Sequence, residues 1–275
     1  MPLVVCPTPI GNVEDVTLRT LRELAEADLV LCEDTRRTRV LLDRHAIEAR
    51  LLSFHRHNES QRTAQLLPRL EAGERIALAS DAGLPGVNDP GARLLQAALA
   101  HDVAITVLPG PSAVETALVA SGLVGERYVF LGYLPRTRAG REGLWEELRA
   151  WRWPAVAFES PRRLPGSLAS LAAADPERPV AVCRELTKRF EEVVRGTAAE
   201  VSARFAEPPK GEITVVIGAA AQAGADDTDA SAAVADLVAS GLPRRRAADL
   251  VARLTGVPRN ALYRDSLDEP TRRPT

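Results

Sequence analysis

Along residues 1–110, short apolar runs end in polar, Gly or Pro positions and are followed by stretches of helical period, the alternation of an α/β unit. The runs Leu3–Cys6, Leu29–Cys32, Arg50–Phe54, Arg75–Ser80 and Ala104–Leu108 are predicted strands. Their nearly continuous hydrophobicity suits a parallel sheet covered on both faces. Between them, Leu18, Leu21, Leu24 and Ala25 form one helical stripe, and Leu94, Leu95, Ala98 and Leu99 form another. Asn58 with Gln61, and Ser112 with Glu115, have the spacing of capping boxes.

A second set of elements follows, with strands near Tyr128–Leu131, Ala155–Phe158, Val180–Cys183, Phe190–Arg195 and Ile213–Ile217, and helices near 141–151, 162–173 and 197–206. The closely spaced runs on either side of Glu185 predict antiparallel pairing, so this unit reads as mixed α/β. The stretch Gly218–Ser231 is small, acidic and aperiodic, which marks a flexible linker. Beyond it, Val234, Leu237 and Val238 begin a short helix that Leu242-Pro243 breaks. Ala248, Leu250, Val251 and Leu254 share one side of a second, and Thr255-Gly256-Val257 turns the chain into a third containing Leu262. Three short helices with a Gly turn resemble a helix-turn-helix, and read equally as a small bundle docked on the core. The expected division is an N-terminal α/β domain (1–110), a second mixed α/β domain (111–218), a linker (219–231) and a helical tail (232–275).

Composition narrows the class. Of 275 residues, 45% are apolar and 26% charged, ordinary for a globular protein, and no run approaches the roughly 18 apolar residues of a membrane helix. The start has no basic n-region, so no secretory signal is read and a cytoplasmic protein is expected. Cys6, Cys32 and Cys183 are odd in number and far apart, which argues against a disulfide scaffold or a zinc site. A formal charge of −2 argues against bulk electrostatic binding of nucleic acid, but from residue 230 onward eight Arg face five acidic residues. In that tail Arg244, Arg245 and Arg246, with Arg253, Arg259 and Arg264, point to phosphate contacts; the triplet alone reads equally as a solvated face. Besides Arg only two Lys occur, Lys188 and Lys210; each reads as a compact or deprotonatable ammonium in a motif, and equally as a surface residue.

No G-x-G-x-x-G and no P-loop is present. Polar and glycine punctuation instead follows strand after strand, at the edge where open α/β sheets bind ligands. Pro7–Asn12 is a rigid turn that alone carries little chemistry. Ser80–Gly91 holds three glycines, two prolines and the acceptors Asp81 and Asp89, a composition that lets a ligand approach the main chain. Pro109–Ser112 leads into a capped helix whose amides favour an anionic group, or serves as an interdomain hinge. Glu33–Arg36 and His55–Glu59 read as a polar cleft wall; His-x-His resembles half a metal site, with no cluster to complete it, so no metal is expected.

Taken in order, PTPIGN-x-x-D-x-T, EDTR, H-x-HNE, SDAG-x-P-x-x-x-DPG, PGP, ES-x-x-R, RELTK and KGE resemble one family, the bacterial 16S ribosomal RNA cytidine 2′-O-methyltransferases of the tetrapyrrole-methylase-like superfamily. The likeness covers residues 3 to about 218, and the tail extends it almost to the C-terminus. One departure is Leu84, where the pattern has a small Thr and a bulkier residue narrows the pocket. The resemblance implies two α/β domains with S-adenosylmethionine in the cleft between them, methylation of a ribose hydroxyl of 16S rRNA in the small ribosomal subunit, and a homodimer. Carried over by motif, cofactor contacts fall to Pro9, Asp81, Ala82, Gly83, Ser112, Ala113, Leu131, Gly211 and Thr214.

A ribose hydroxyl is a poor nucleophile near neutral pH, so a base is expected. Lys188 is the first candidate, its pKa lowered by burial or by Arg184; Glu33 and Asp34 are the second. Arg36, Arg162 and Arg163 are assigned to RNA phosphates. Two rival readings use the same residues differently. A carbon-methylating tetrapyrrole enzyme would share the cofactor loop and have no use for the basic tail, whereas a non-catalytic RNA-binding protein would use the tail and not the pocket.

Overall fold

A computed structural model describes residues 2–149, 151–220, 227–255 and 257–268. The first unit comprises β1 (Leu3–Cys6), α1 (Leu18–Glu26), β2 (Leu29–Cys32), α2 (Thr35–Arg44), β3 (Leu51–Ser53), α3 (Glu59–Glu71), β4 (Ile76–Ala79), α4 (Ala92–Ala100) and β5 (Ile105–Val107). Its strands form one sheet in the order β3-β2-β4-β1-β5, all parallel. Alternate residues of the same strands enter two cores. Leu3, Leu29, Leu31, Ile76 and Leu78 meet Leu66 and Leu70 of α3 and Leu94 of α4, while Val4, Val30, Ala77 and Ala79 meet Leu24 of α1 and Leu42 of α2. Burial on both faces is why these strands are apolar throughout.

The chain continues through α5 (Ala113–Ser121), β6 (Val129–Tyr133), α6 (Arg138–Arg149), β7 (Ala155–Glu159), α7 (Leu164–Ala174), β8 (Pro179–Arg184), β9 (Glu192–Thr197), α8 (Ala198–Arg204) and β10 (Ile213–Ile217). The second sheet has the order β6-β7-β10-β8-β9, with β6 and β7 parallel and the other pairs antiparallel. One face packs on α6, α7 and α8. On the other face Val156, Ala181 and Val216 bury Val114, Ala117 and Leu118 of α5, together with Ile10 from the first unit. Three further helices, α9 (Asp227–Ala239), α10 (Arg244–Thr255) and α11 (Arg259–Asp268), share a small core of Val234, Ala247, Ala248, Val251 and Leu262.

The strand pattern and the mixed second sheet agree with the sequence reading; local details differ. Helix α2 was hidden by its polarity, and α9 starts inside the stretch expected to be linker. Leu18 and Leu99 lie exposed, because α1 and α4 bury narrower faces than their apolar stripes. β9 starts two residues later than expected, since Glu191 closes a turn onto the Lys188 carbonyl (3.1 Å). Neither expected capping box forms. Asn58 instead accepts from the His55 amide (2.8 Å) and donates to the Ser53 carbonyl (3.1 Å), and the Ser112 hydroxyl turns to Glu115.

Glu59, next to Asn58, caps a different helix. Its carboxylate accepts from the amides of Gly91 (3.0 Å) and Arg93 (3.1 Å) at the start of α4. Gly91 sits at φ +135°, and a Cβ there would lie 2.8 Å from Leu78 Cδ2. Gly91→Ala is therefore expected to destabilise the protein by about 2–4 kcal/mol, combining backbone strain with overpacking. Chemical denaturation measures this, and an unchanged midpoint would contradict the account.

Candidate active site

The loops that follow β1, β4 and β5 leave the carboxyl edge of the first sheet and are knitted into one lip. Thr8 and Gly83 exchange backbone hydrogen bonds of 2.9 Å in both directions. The Thr8 hydroxyl donates to the Ser80 carbonyl (3.0 Å), and the Ser80 hydroxyl donates to the Gly83 carbonyl (2.8 Å). Gly110 lies so close to Pro7 that any Cβ would overlap the proline ring. This is why glycines and prolines crowd these loops.

Between the lip and the second sheet lies a cleft of about 710 Å³. Asp81, Ala82, Gly83, Leu84 and Asp89 line one side; Ser112, Ala113, Phe130, Tyr133, Phe158 and Thr214 line the other. Phe158 holds Phe130 and Tyr133 edge to face, with centroids at 5.1 and 5.6 Å, giving an aromatic wall. The N-terminal residues of α5 line the cleft with the positive end of the helix dipole, and the Glu115 carboxylate there accepts from its own amide and from the Ser112 and Tyr128 hydroxyls. Opposite them stands Asp89, whose carboxyl is pushed up to about 6 by burial and by the nearby Glu33 and Asp81 charges, against the pull of Arg56. Leu84 belongs to the wall of the cleft.

A smaller cavity of about 350 Å³ lies beyond the lip. It shares Ile10, Arg37, Asp81, Ala82 and Glu212 with the cleft. Lys188 lines it and pairs with Glu185 (2.9 Å) and Glu212 (3.0 Å). Burial pushes the Lys188 pKa down, but the hydrogen bonds to these two carboxylates outweigh it and leave the pKa above its ordinary value. Lys188 is thus an ammonium and not the base expected of it. Arg184 gives it no help, because that guanidinium pairs with Glu192 (2.9 Å).

Other expectations change in the same way. Asp34 accepts from the Arg36 amide (2.9 Å) as the N-cap of α2 and pairs with the Arg36 side chain (3.1 Å); these hydrogen bonds hold its carboxyl below the usual range. Asp34 is therefore a cap, and neither it nor Glu33 lines either cavity. Arg163 is not a free phosphate ligand: it pairs with the fully buried Glu159 (2.5 Å) and donates to the Leu134 carbonyl (3.2 Å), while Ser167 donates to the same carboxylate (2.6 Å). Arg162 beside it is exposed, as are Arg245 and Arg246, whereas Arg244 donates to the Ser266 carbonyl. Pro9 lines the smaller cavity, Leu131 packs its side chain into the core beneath the sheet, and Gly211 (φ +100°) fits against Glu185. His55 and His57 face each other at 5.8 Å away from both cavities.

Sequence reasoning did not assign Arg37, Glu212 or the three aromatic residues. Glu212 lay in the quoted KGE motif, and Phe158 beside ES-x-x-R, so position relative to strand ends was the available signal.

Comparison with known proteins agrees with this architecture. Residues 2–202 match the family model of the tetrapyrrole (corrin/porphyrin) methylases, and residues 224–268 match the RsmI C-terminal HTH domain. The chain is 43% identical over 269 residues to ribosomal RNA small subunit methyltransferase I of Mesorhizobium japonicum, covering 97% of this chain and 91% of the relative. It is 40% identical over 272 residues to the protein of the same name from Escherichia coli O157:H7, covering 97% and 95%. Among solved structures, uroporphyrin-III C-methyltransferase of Thermus thermophilus complexed with S-adenyl homocysteine superposes with a TM-score of 0.55 at 20% identity, covering 79% of this chain and 97% of that one. This chain therefore belongs to the ribosomal RNA small subunit methyltransferase I family of the tetrapyrrole methylases.

Proposed function

We propose that this chain is an S-adenosylmethionine-dependent methyltransferase that 2′-O-methylates the ribose of a cytidine in the decoding region of 16S ribosomal RNA. The observation that carries the reading is the cleft, in a chain that resembles rRNA methyltransferases over 97% of its length. Its residues fit the cofactor group by group. The helix N-terminus at Ser112 and Ala113 suits a carboxylate, Asp81 and Asp89 suit a cationic end, and the Phe130, Tyr133 and Phe158 wall suits a purine. A cleft of about 710 Å³ lies within the size range of small-molecule sites. When bound, S-adenosylmethionine supplies an electrophilic methyl group on a sulfonium sulfur.

The chain's own part is placement and proton handling. Glu212 lines both cavities, and Lys188 Nζ at 3.0 Å fixes its Oε2, so its carboxylate is positioned to accept the hydrogen of a hydroxyl presented there. Lys188 acts through Glu212 as a positioning residue. Arg37 of α2, which lines both cavities, and the exposed Arg162, Arg245 and Arg246 are available to RNA phosphates. The same reading includes a homodimer acting on the small ribosomal subunit in the cytoplasm.

Transfer of labelled methyl from S-adenosylmethionine to small subunits lacking their own modification, followed by nucleoside analysis, should place the label in 2′-O-methylcytidine. Cofactor binding with no transfer to subunits or naked RNA would move the substrate to a tetrapyrrole. Glu212→Gln should lower kcat by about 10²-fold or more while cofactor affinity stays near wild type; unchanged turnover would remove Glu212 from the chemistry. With Asp89 titrating at about 6, cofactor affinity should fall as pH drops through that value and the carboxylate facing the cation is lost. Calorimetry on Asp89→Asn should give weaker binding at neutral pH with no such step, and a step that persists would assign it to another group.

A further inference from the structure

We infer that the smaller cavity is the pocket for the target nucleoside, extruded from its strand and placed where the cavity adjoins the cofactor cleft. The inference rests on the methyltransferase reading and adds where the second substrate sits. Two reactants held for a direct transfer must come within about 3–3.5 Å of each other, so their pockets must adjoin with no side chain between the reacting atoms. Here the two spaces adjoin: Ile10, Arg37, Asp81, Ala82 and Glu212 line both. A volume of about 350 Å³ is at the low end of ligand pockets, enough for one nucleoside and too small for paired bases. Extrusion is a known way for an enzyme to present a single nucleotide of a structured strand to such a pocket.

The lining chemistry is that of a nucleoside. Ile10, Val13, Val40 and Leu41 supply apolar surface for a base, and Glu212, held by Lys188, supplies an acceptor where the two spaces adjoin. Arg37 is the cation for the adjoining phosphate. Whereas Arg36 is committed to Asp34 (3.1 Å) and Arg39 donates to the Ala49 carbonyl (3.2 Å), Arg37 has, among the described residues, only Asp81 at 3.7 Å, and its side chain is 62% exposed.

Val40 offers a clean test, because it lines the cavity from α2 yet is 65% exposed, so a larger side chain disturbs no core. Val40→Trp should fill the mouth and lower kcat/KM for small ribosomal subunits by about 100-fold, while melting temperature and S-adenosylmethionine affinity stay at wild-type values. Val13→Trp, from a different element, should show the same split between RNA and cofactor. Full RNA activity in both Trp variants would overturn the inference, and so would an equal loss of cofactor binding, which would make the cavity part of the cofactor site. A wild-type enzyme that labels no RNA would overturn the methyltransferase reading itself; active wild type with active Trp variants overturns only the pocket.

Discussion

The site depends on one close approach, that of Gly11 to the turn after β8. A Cβ at Gly11 would lie 2.5 Å from Lys188 Cγ and 2.8 Å from the Leu186 carbonyl, so only glycine lets the first loop of one sheet reach the second. The Asn12 amide then donates to the Thr187 hydroxyl (3.0 Å). The receiving turn is itself unusual, with Glu185 and Thr187 at φ +52° and +65°. Its strain is offset by the Glu185 carboxylate, which accepts from both Lys188 Nζ and the Glu212 amide at 2.9 Å. One contact thus sets the position of Lys188, of Glu212 and of the junction between the two cavities.

Helix α5 makes the second tie. It follows the last strand of the first sheet but buries Val114, Ala117 and Leu118 on the second. Its N-terminus is therefore held where the two sheets meet, with its first residues lining the cleft. A helix placed this way joins the halves and presents an anion-binding end with the same residues, so the fold needs no separate phosphate-type loop.

Strands and loops were legible in the sequence because burial on both faces writes itself as continuous apolar runs, and backbone strain as Gly and Pro. Side-chain roles were not. Asp34, Lys188 and Arg163 each looked chemically free in sequence, yet each is defined by a partner: Arg36 for the first, Glu185 and Glu212 for the second, Glu159 for the third. Arg36, Glu185 and Glu159 lie within four residues of the groups they hold, whereas Glu212 reaches Lys188 only through the fold. Helix α2 was lost because TRRTR carries no apolar stripe in its first turn; its N-cap was mistaken for chemistry, since an Asp that caps and an Asp that reacts look alike in one dimension.

Charge explains how one site can hold a cation and meet a polyanion. Acidic groups line the cleft, with Asp81 and Asp89 on its wall, while the arginines of α2 and Arg245 and Arg246 of the tail stay at the surface. At the boundary each acid meets a cation: Asp81 has Arg37 at 3.7 Å and Glu212 has Lys188 at 3.0 Å. An approaching phosphate strand meets the cations first, and beyond about 8 Å the interior acids are screened from it. Inside, where screening is weaker, the same acids favour a positively charged donor. A formal charge of −2 therefore understates both interactions, because the opposite charges are separated by depth and not by position along the chain.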